Sequence, residues 1–151
     1  MAATITASGR VGMGIMAGIL ASIVMTLTLI AVTALGFFSI QWFPWVASVF
    51  GINAIGTSLA EYGVLLFFIL GIIAGLIFAF VFKEQYVIRG VGFGAIAWFI
   101  VLLYLAFNTA PQLSGPLGSL SISTSVGLLL PLAVCFGLWG AVMGYVGKKY
   151  A

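Results

Sequence analysis

The sequence predicts an all-α polytopic membrane protein with four transmembrane helices packed in a compact bundle. The first observation is composition: 64% of the 151 residues are hydrophobic and 5% are charged, with a mean hydropathy of +1.36, whereas a soluble domain carries about 25% charged residues. The second is a set of four long apolar runs, and the third is where the five basic residues fall between them. Such a chain cannot cover itself with polar surface, so its surroundings must be lipid.

The four apolar runs are long enough to cross a membrane, because about 20 helical residues span a hydrocarbon core about 30 Å thick. They must be helical, since lipid offers no partner to a free backbone group, and they are too long and too unalternating for barrel strands. The first run is also too long for a secretory signal, so we expect it to be retained. We therefore predict a single domain over 1–151, with spans at 11–38, 62–82, 90–107 and 126–147.

The basic residues predict the orientation, because Lys and Arg that flank spans are retained in the cytoplasm. All five fall on one side of a four-span arrangement: Arg10, Lys83, Arg89, Lys148 and Lys149. We therefore expect a multi-pass protein of the plasma membrane with both termini in the cytoplasm. Anionic membrane lipids are the expected counter-charge for the net charge of +3, and nucleic acid is not an expected partner.

The two outer loops differ in composition. The first, 39–61, places Trp and Phe side chains around a proline, which is typical of an aromatic belt at headgroup depth. We expect a short interfacial or re-entrant helix there, with Trp42 and Trp45 as interfacial anchors; a lid over a cavity is the alternative. The second loop, 108–125, is uncharged and rich in Ser, Gly and Pro, so we expect an irregular connector.

Small residues recur at every fourth position of the spans. In lipid, helices associate through close backbone approach at small residues and through van der Waals packing. We expect these residues to face one another within one chain; a homodimeric interface is the alternative. The predicted helix-packing residues are Gly14, Gly18, Ser22, Gly71, Gly75, Gly90, Gly94, Gly140 and Gly144.

A weak internal repeat relates the two halves of the chain. The run VGMGIMA at 11–17 matches VGFGAIA at 91–97, and 75–86 loosely parallels 140–150. If the chain is duplicated, the first and third spans correspond, as do the second and fourth, and the axis that relates the two hairpins lies along the membrane normal. Shared membrane composition is the alternative origin of the similarity.

Each span carries one motif of small and apolar residues: AGILASIVMT, LGIIAGLIFAFVF, RGVGFGAIAW and WGAVMGYVG. These motifs resemble those of a family of uncharacterised small prokaryotic membrane proteins, frequent in haloarchaea and loosely similar to the YagU-type inner-membrane proteins. The resemblance implies four helices and no established activity. It also implies histidines early in the second and fourth spans, where this chain has Phe67 and Phe136, so any role of those histidines is absent here.

Few side chains could carry chemistry. The chain has no histidine and one cysteine, Cys135, so we expect no catalytic, metal or cofactor site. Glu61 and Asn108 form a candidate outer polar site. The structural alternative for Glu61 is a capping box with Ser58, and Asn108 is expected to end its helix near the interface.

These observations favour one functional class. We expect an interaction or structural subunit that self-associates or packs against a larger membrane complex through its glycine faces and aromatic loop. The alternative is a passive channel or small-solute carrier, without ion coupling because no span holds a charge near mid-depth. An enzyme is not expected, although a quinone or lipid between the helices would leave no motif.

Overall fold

A computed structural model describes residues 6–35, 42–52, 57–82, 87–107 and 122–150, with backbone alone described at 45, 48, 57–59, 105–107 and 122–129. In these ranges the chain forms five α-helices and no strand. The helices are α1 (Ala7–Ala34), α2 (Trp42–Val49), α3 (Thr57–Val81), α4 (Val87–Phe107) and α5 (Ile122–Tyr150).

Four of these helices, α1, α3, α4 and α5, are long and apolar enough to cross a membrane. This confirms the prediction of an all-helical, multi-pass membrane protein. Helix α1 begins before its predicted position because Thr6 caps it: the side-chain oxygen accepts a hydrogen bond from the backbone N–H of Gly9 over 3.3 Å. Helix α5 continues to Tyr150, with Lys148 and Lys149 in its last turn, where basic side chains stabilise the negative end of a helix.

The short helix α2 lies in the aromatic segment between the first two spans, where the sequence predicted one. It ends in a Schellman-type turn, in which the backbone N–H of Ile52 donates to the carbonyl of Ala47 over 3.2 Å. Gly51 supplies the positive φ of 72° that this turn requires. The chain can therefore reverse direction within a few residues of the end of α2.

The helices pack in the spatial order α2, α3, α1, α5, α4. Helix α1 is central, with α3 along one side and α5 along the other, while α4 packs mainly along α5 and α2 rests on α3. The backbones of α3 and α4 do not pack along each other. These two helices meet instead through the rings of Phe78 and Phe93, whose centroids lie 5.5 Å apart.

One end of the bundle collects the start of α1, the end of α3, the start of α4 and the end of α5. Helices α1 and α3 are antiparallel, with Gly14 against Gly75, and α4 and α5 are antiparallel, with Gly90 against Gly140. Only five residues, 82–86, separate α3 from α4. We call this the basic end, because its described residues include Arg10, Arg89, Lys148 and Lys149.

Candidate functional site: the helix contacts and the aromatic column

Helices α1 and α3 approach so closely at two glycines that no side chain fits between them. A Cβ atom added at Gly14 would lie 2.9 Å from the Cα of Leu76, and one added at Gly18 would lie 2.7 Å from the Cα of Ile72. Carbon atoms pack best at about 3.5–4.0 Å. The absence of side chains at these two positions therefore sets the separation of the two helices.

Ser22 continues the same face of α1 and is fully buried. Its Oγ points at Gly71 of α3, so that a methyl group at Gly71 would collide with the hydroxyl. The Oγ atom has no hydrogen-bond partner. Leaving a buried hydroxyl unpaired costs about 1–3 kcal/mol, so Ser22 contributes to this contact through its small size.

Helices α4 and α5 make a second contact of the same kind. A Cβ atom added at Gly90 would lie 2.7 Å from the backbone nitrogen of Gly144, and one added at Gly94 would lie 3.3 Å from the Cα of Gly140. The carbonyl oxygen of Phe136 also faces Gly94. The structure thus places the glycines of α4 against those of α5, and the glycines of α1 against those of α3.

Sequence reasoning missed one close contact, at Gly63 of α3. A Cβ atom added there would lie 2.9 Å from the Cα of Phe43 and would collide with the carbonyl group of that residue, so α2 docks on α3 by backbone approach. Gly63 precedes Gly71 and Gly75 at intervals that are multiples of four residues. The spacing that singled out the other glycines could therefore have identified this one.

Three other glycines of the spanning helices have open space around them. A Cβ atom added at Gly12, Gly92 or Gly137 would meet nothing within 4 Å. Gly12 and Gly92 are exposed, on α1 and α4 respectively. Substitutions at these positions serve as controls, because they change a glycine of a spanning helix without disturbing a helix contact in the described chain.

The interior is filled by a series of rings in mutual contact, which we call the aromatic column. Neighbouring ring centroids lie between 5.0 and 6.5 Å apart, a spacing at which each pair contributes about 0.5–1.5 kcal/mol beyond its buried area. Phe93 and Trp139 are stacked at 18°, and this pair joins α4 to α5. From α2 to the basic end the column consists of Phe43, Phe67, Trp42, Phe136, Trp139, Phe93, Phe78 and Phe82.

Trp42 corrects one sequence-based prediction. An interfacial anchor presents its ring to lipid headgroups, but the side chain of Trp42 is only 7% exposed. The ring packs edge-on against Phe67 and Phe136, with centroid separations of 6.5 and 6.2 Å. Trp42 therefore joins α2 to the bundle interior. Its ring buries more apolar area there than it would at the interface between membrane and water. The side chain of Trp45 lies outside the described residues.

Phe67 and Phe136 are far apart in sequence but meet at Trp42. These are the two positions at which the family resemblance implies histidines. The fold brings them to one place, where α2, α3 and α5 converge. In this chain aromatic rings occupy the point where the three helices converge. Phe67 and Phe136 therefore supply neither a general base nor a metal ligand there.

Two indole N–H groups in the bundle also lack a partner. The Nε1 atoms of Trp98 on α4 and Trp139 on α5 are buried and have no hydrogen-bond acceptor. Trp139 belongs to the core cluster, and Trp98 packs against that cluster. Their contribution to the fold comes from ring area, which offsets the cost of the unpaired donors.

The candidate outer polar site is described only in part. Glu61 is exposed near the start of α3, at the end of the bundle opposite the basic end. Helix α3 begins at Thr57, so Ser58 lies inside the helix, and the first turn contains no acidic residue. The predicted capping box, with Ser58 as N-cap, is therefore wrong. Asn108 lies outside the described residues.

Potential metal ligands are sparse in the described ranges. No three His, Cys, Asp or Glu side chains there are grouped so that they could hold a metal ion. Cys135 is fully buried on α5, within the core cluster. It packs as a small apolar residue, as free cysteines commonly do.

Comparison with known proteins identifies a family and no function. No match to the chain was found among curated protein sequences or among solved structures. One family model matches residues 8–151, which include all five helices except the first residue of α1. The chain therefore belongs to DUF6789, a family of unknown function.

Proposed function

We propose that this chain is a non-enzymatic interaction subunit of the membrane, which self-associates or packs against a larger membrane complex through the outward face of α4. The observation that carries the proposal is the uneven burial of the spans. Only 11% of the spanning window of α4 is buried inside the chain, against 50% for α5. The side of α4 that carries Gly90 and Gly94, its glycine edge, packs against α5. The remaining surface of α4 is available to another helix.

The outward face of α4 combines a small residue with large apolar ones. Gly92 is exposed and has open space around it, while Ile96 is 58% and Phe99 56% exposed. A glycine flanked by bulky side chains lets a second helix approach closely, as in membrane helix pairs. This face therefore suits a helical partner.

The contents of the bundle favour this proposal over a passive channel or carrier. A solute route needs polar lining or an open passage, whereas the aromatic column occupies the interior of the described helices. On α1 the hydroxyls of Thr26, Thr28 and Thr33 donate to the backbone carbonyl four residues earlier, each over 2.8 Å. They are satisfied within their own helix, so they supply little polar lining.

The finer features of the proposal come from the sequence. Charge placement supports a plasma-membrane location with both termini in the cytoplasm. The contact of Gly94 with Gly140 supports duplication, because Gly14 and Gly75, the positions that the repeat makes equivalent to them, are also in contact. A prokaryotic, haloarchaeal origin and a likeness to YagU-type proteins rest on the small-residue motifs alone.

Native mass spectrometry after gentle extraction from the host membrane tests the proposal. We expect a homo-oligomer or a stoichiometric complex with another membrane protein. A lone monomer that survives several mild extraction conditions would overturn it. Flux of small solutes into liposomes that contain the pure protein would instead support the channel alternative.

Two matched leucine substitutions locate the interface. Gly92→Leu places a bulky side chain on the outward face of α4, and Gly12→Leu does the same on the exposed face of α1. Neither meets an atom of its own chain at the Cβ position, so both variants should fold. We expect only Gly92→Leu to lower the mass of the assembly. An assembly that tolerates Gly92→Leu but not Gly12→Leu would move the interface to α1.

A further inference from the structure

The charged groups of the described chain are segregated between the two ends of the bundle. The described basic residues all lie at the basic end, with Arg89, Lys148 and Lys149 exposed and Arg10 partly exposed. The first turns of α1 and α4, which begin there, contain no acidic residue. Glu61, the described carboxylate, lies at the opposite end.

From the length of α5 we expect Lys148 and Lys149 to lie at the depth of the lipid headgroups. Helix α5 has 29 residues and is therefore about 43 Å long, which exceeds a hydrocarbon core of about 30 Å but matches a bilayer with its headgroup regions. Lys148 and Lys149 fall in its last turn. Tyr145 and Tyr150 beside them are 61% and 51% exposed, and exposed tyrosines favour the same interfacial layer.

We propose that the basic end is a binding surface for anionic phospholipids, with Arg10, Lys148 and Lys149 recognising the headgroup phosphates. Membrane lipid is the favoured occupant because these cations end transmembrane helices, so that headgroups of the adjoining leaflet surround them. Zwitterionic lipids offer each phosphate together with a cation, whereas anionic lipids offer uncompensated negative charge. This proposal does not depend on whether the chain self-associates.

Native mass spectrometry with added lipid tests the proposal on the full chain in detergent. Phosphatidylglycerol and phosphatidylcholine with identical acyl chains are titrated separately, and the dissociation constants of the first bound lipids are compared. We expect phosphatidylglycerol to bind about 10-fold tighter or better, since each basic residue near an anionic headgroup contributes about fivefold. Raising the ammonium acetate concentration should reduce this preference, because salt screens exposed charges.

Neutral variants assign the effect to the basic end. Lys148→Gln combined with Lys149→Gln should remove most of the preference, and Arg10→Gln should reduce it by up to about fivefold. Glu61→Gln, which changes the charge of the opposite end, should leave it unchanged. Far-UV circular dichroism through thermal unfolding checks that all variants remain folded, as expected for exposed side chains.

Several results would overturn the proposal. These are equal affinity of the wild-type chain for the two lipids, a preference that salt does not reduce, and a double lysine variant that keeps the full preference. Competition by an excess of glycerol phosphate would show a site for free phosphate compounds rather than for membrane lipid. An acidic protein that co-purifies in place of lipid, and is lost in the lysine variant, would show that the surface recognises protein.

Discussion

Replacing Gly140 by alanine tests whether backbone contact holds α4 and α5 together. The added methyl carbon would lie 2.9 Å from the backbone nitrogen of Gly94 and 2.9 Å from the carbonyl carbon of Gly90. The carbonyl oxygen of Gly90 would lie closer still, and such contacts are favourable at about 3.5 Å, so the helices must separate by about 1 Å. These atoms belong to the backbone, so no side chain can rotate away. We expect the free energy of unfolding to fall by about 1–3 kcal/mol.

Gly137 provides a matched control on the same helix. An added Cβ atom there meets nothing within 4 Å, so alanine creates no clash and gains up to about 1 kcal/mol from its better helix propensity. The two variants should therefore differ by about 2–3 kcal/mol, or about 30- to 150-fold in the unfolding equilibrium constant. Titration with sodium dodecyl sulfate from mild micelles, followed by circular dichroism, measures the difference. Equal midpoints for Gly137→Ala and Gly140→Ala would refute the reasoning.

Three further substitutions or reactions probe the interior. Trp42→Ala removes the ring that contacts Phe67 and Phe136, and should lower the free energy of unfolding by about 3 kcal/mol. It should also speed the exchange of backbone amide hydrogens in α2. Unchanged exchange would contradict the role of Trp42 as the link between α2 and the bundle. Ser22→Ala removes an unpaired buried hydroxyl and should raise the free energy of unfolding by up to about 1 kcal/mol in the same titration. Cys135, at 0% exposure, should resist maleimide in mild detergent and react only after unfolding.

The four spanning helices could be predicted from sequence because the signal for each is summed over about 20 apolar residues. Their ends could not be placed as well. Hydropathy does not register Thr6, whose cap extends α1, nor the basic last turn of α5. At such ends local hydrogen bonds and the helix dipole decide the boundary, and these depend on one or two residues.

The orientation of α2 could not be predicted from its composition. Trp42 and Trp45 have the same chemistry and both suit an interfacial belt, so the sequence offers no reason to separate them. Trp42 is buried because Gly63 lets α2 approach α3 closely enough for the ring to reach Phe67 and Phe136. The burial of Trp42 depends on a contact between residues that are far apart in the sequence. The local composition around Trp42 does not reveal that contact.

The packing order of the helices has a consequence for how the protein is made. During synthesis α1 and α3 can pair as soon as both have been inserted, because their contact needs nothing that follows them. Helix α4 then enters the bilayer before its main partner exists, and lipid must cover its glycine edge until α5 is complete. A chain interrupted between 107 and 122 would therefore leave α4 without that partner, which would expose the incomplete product to membrane quality-control proteases.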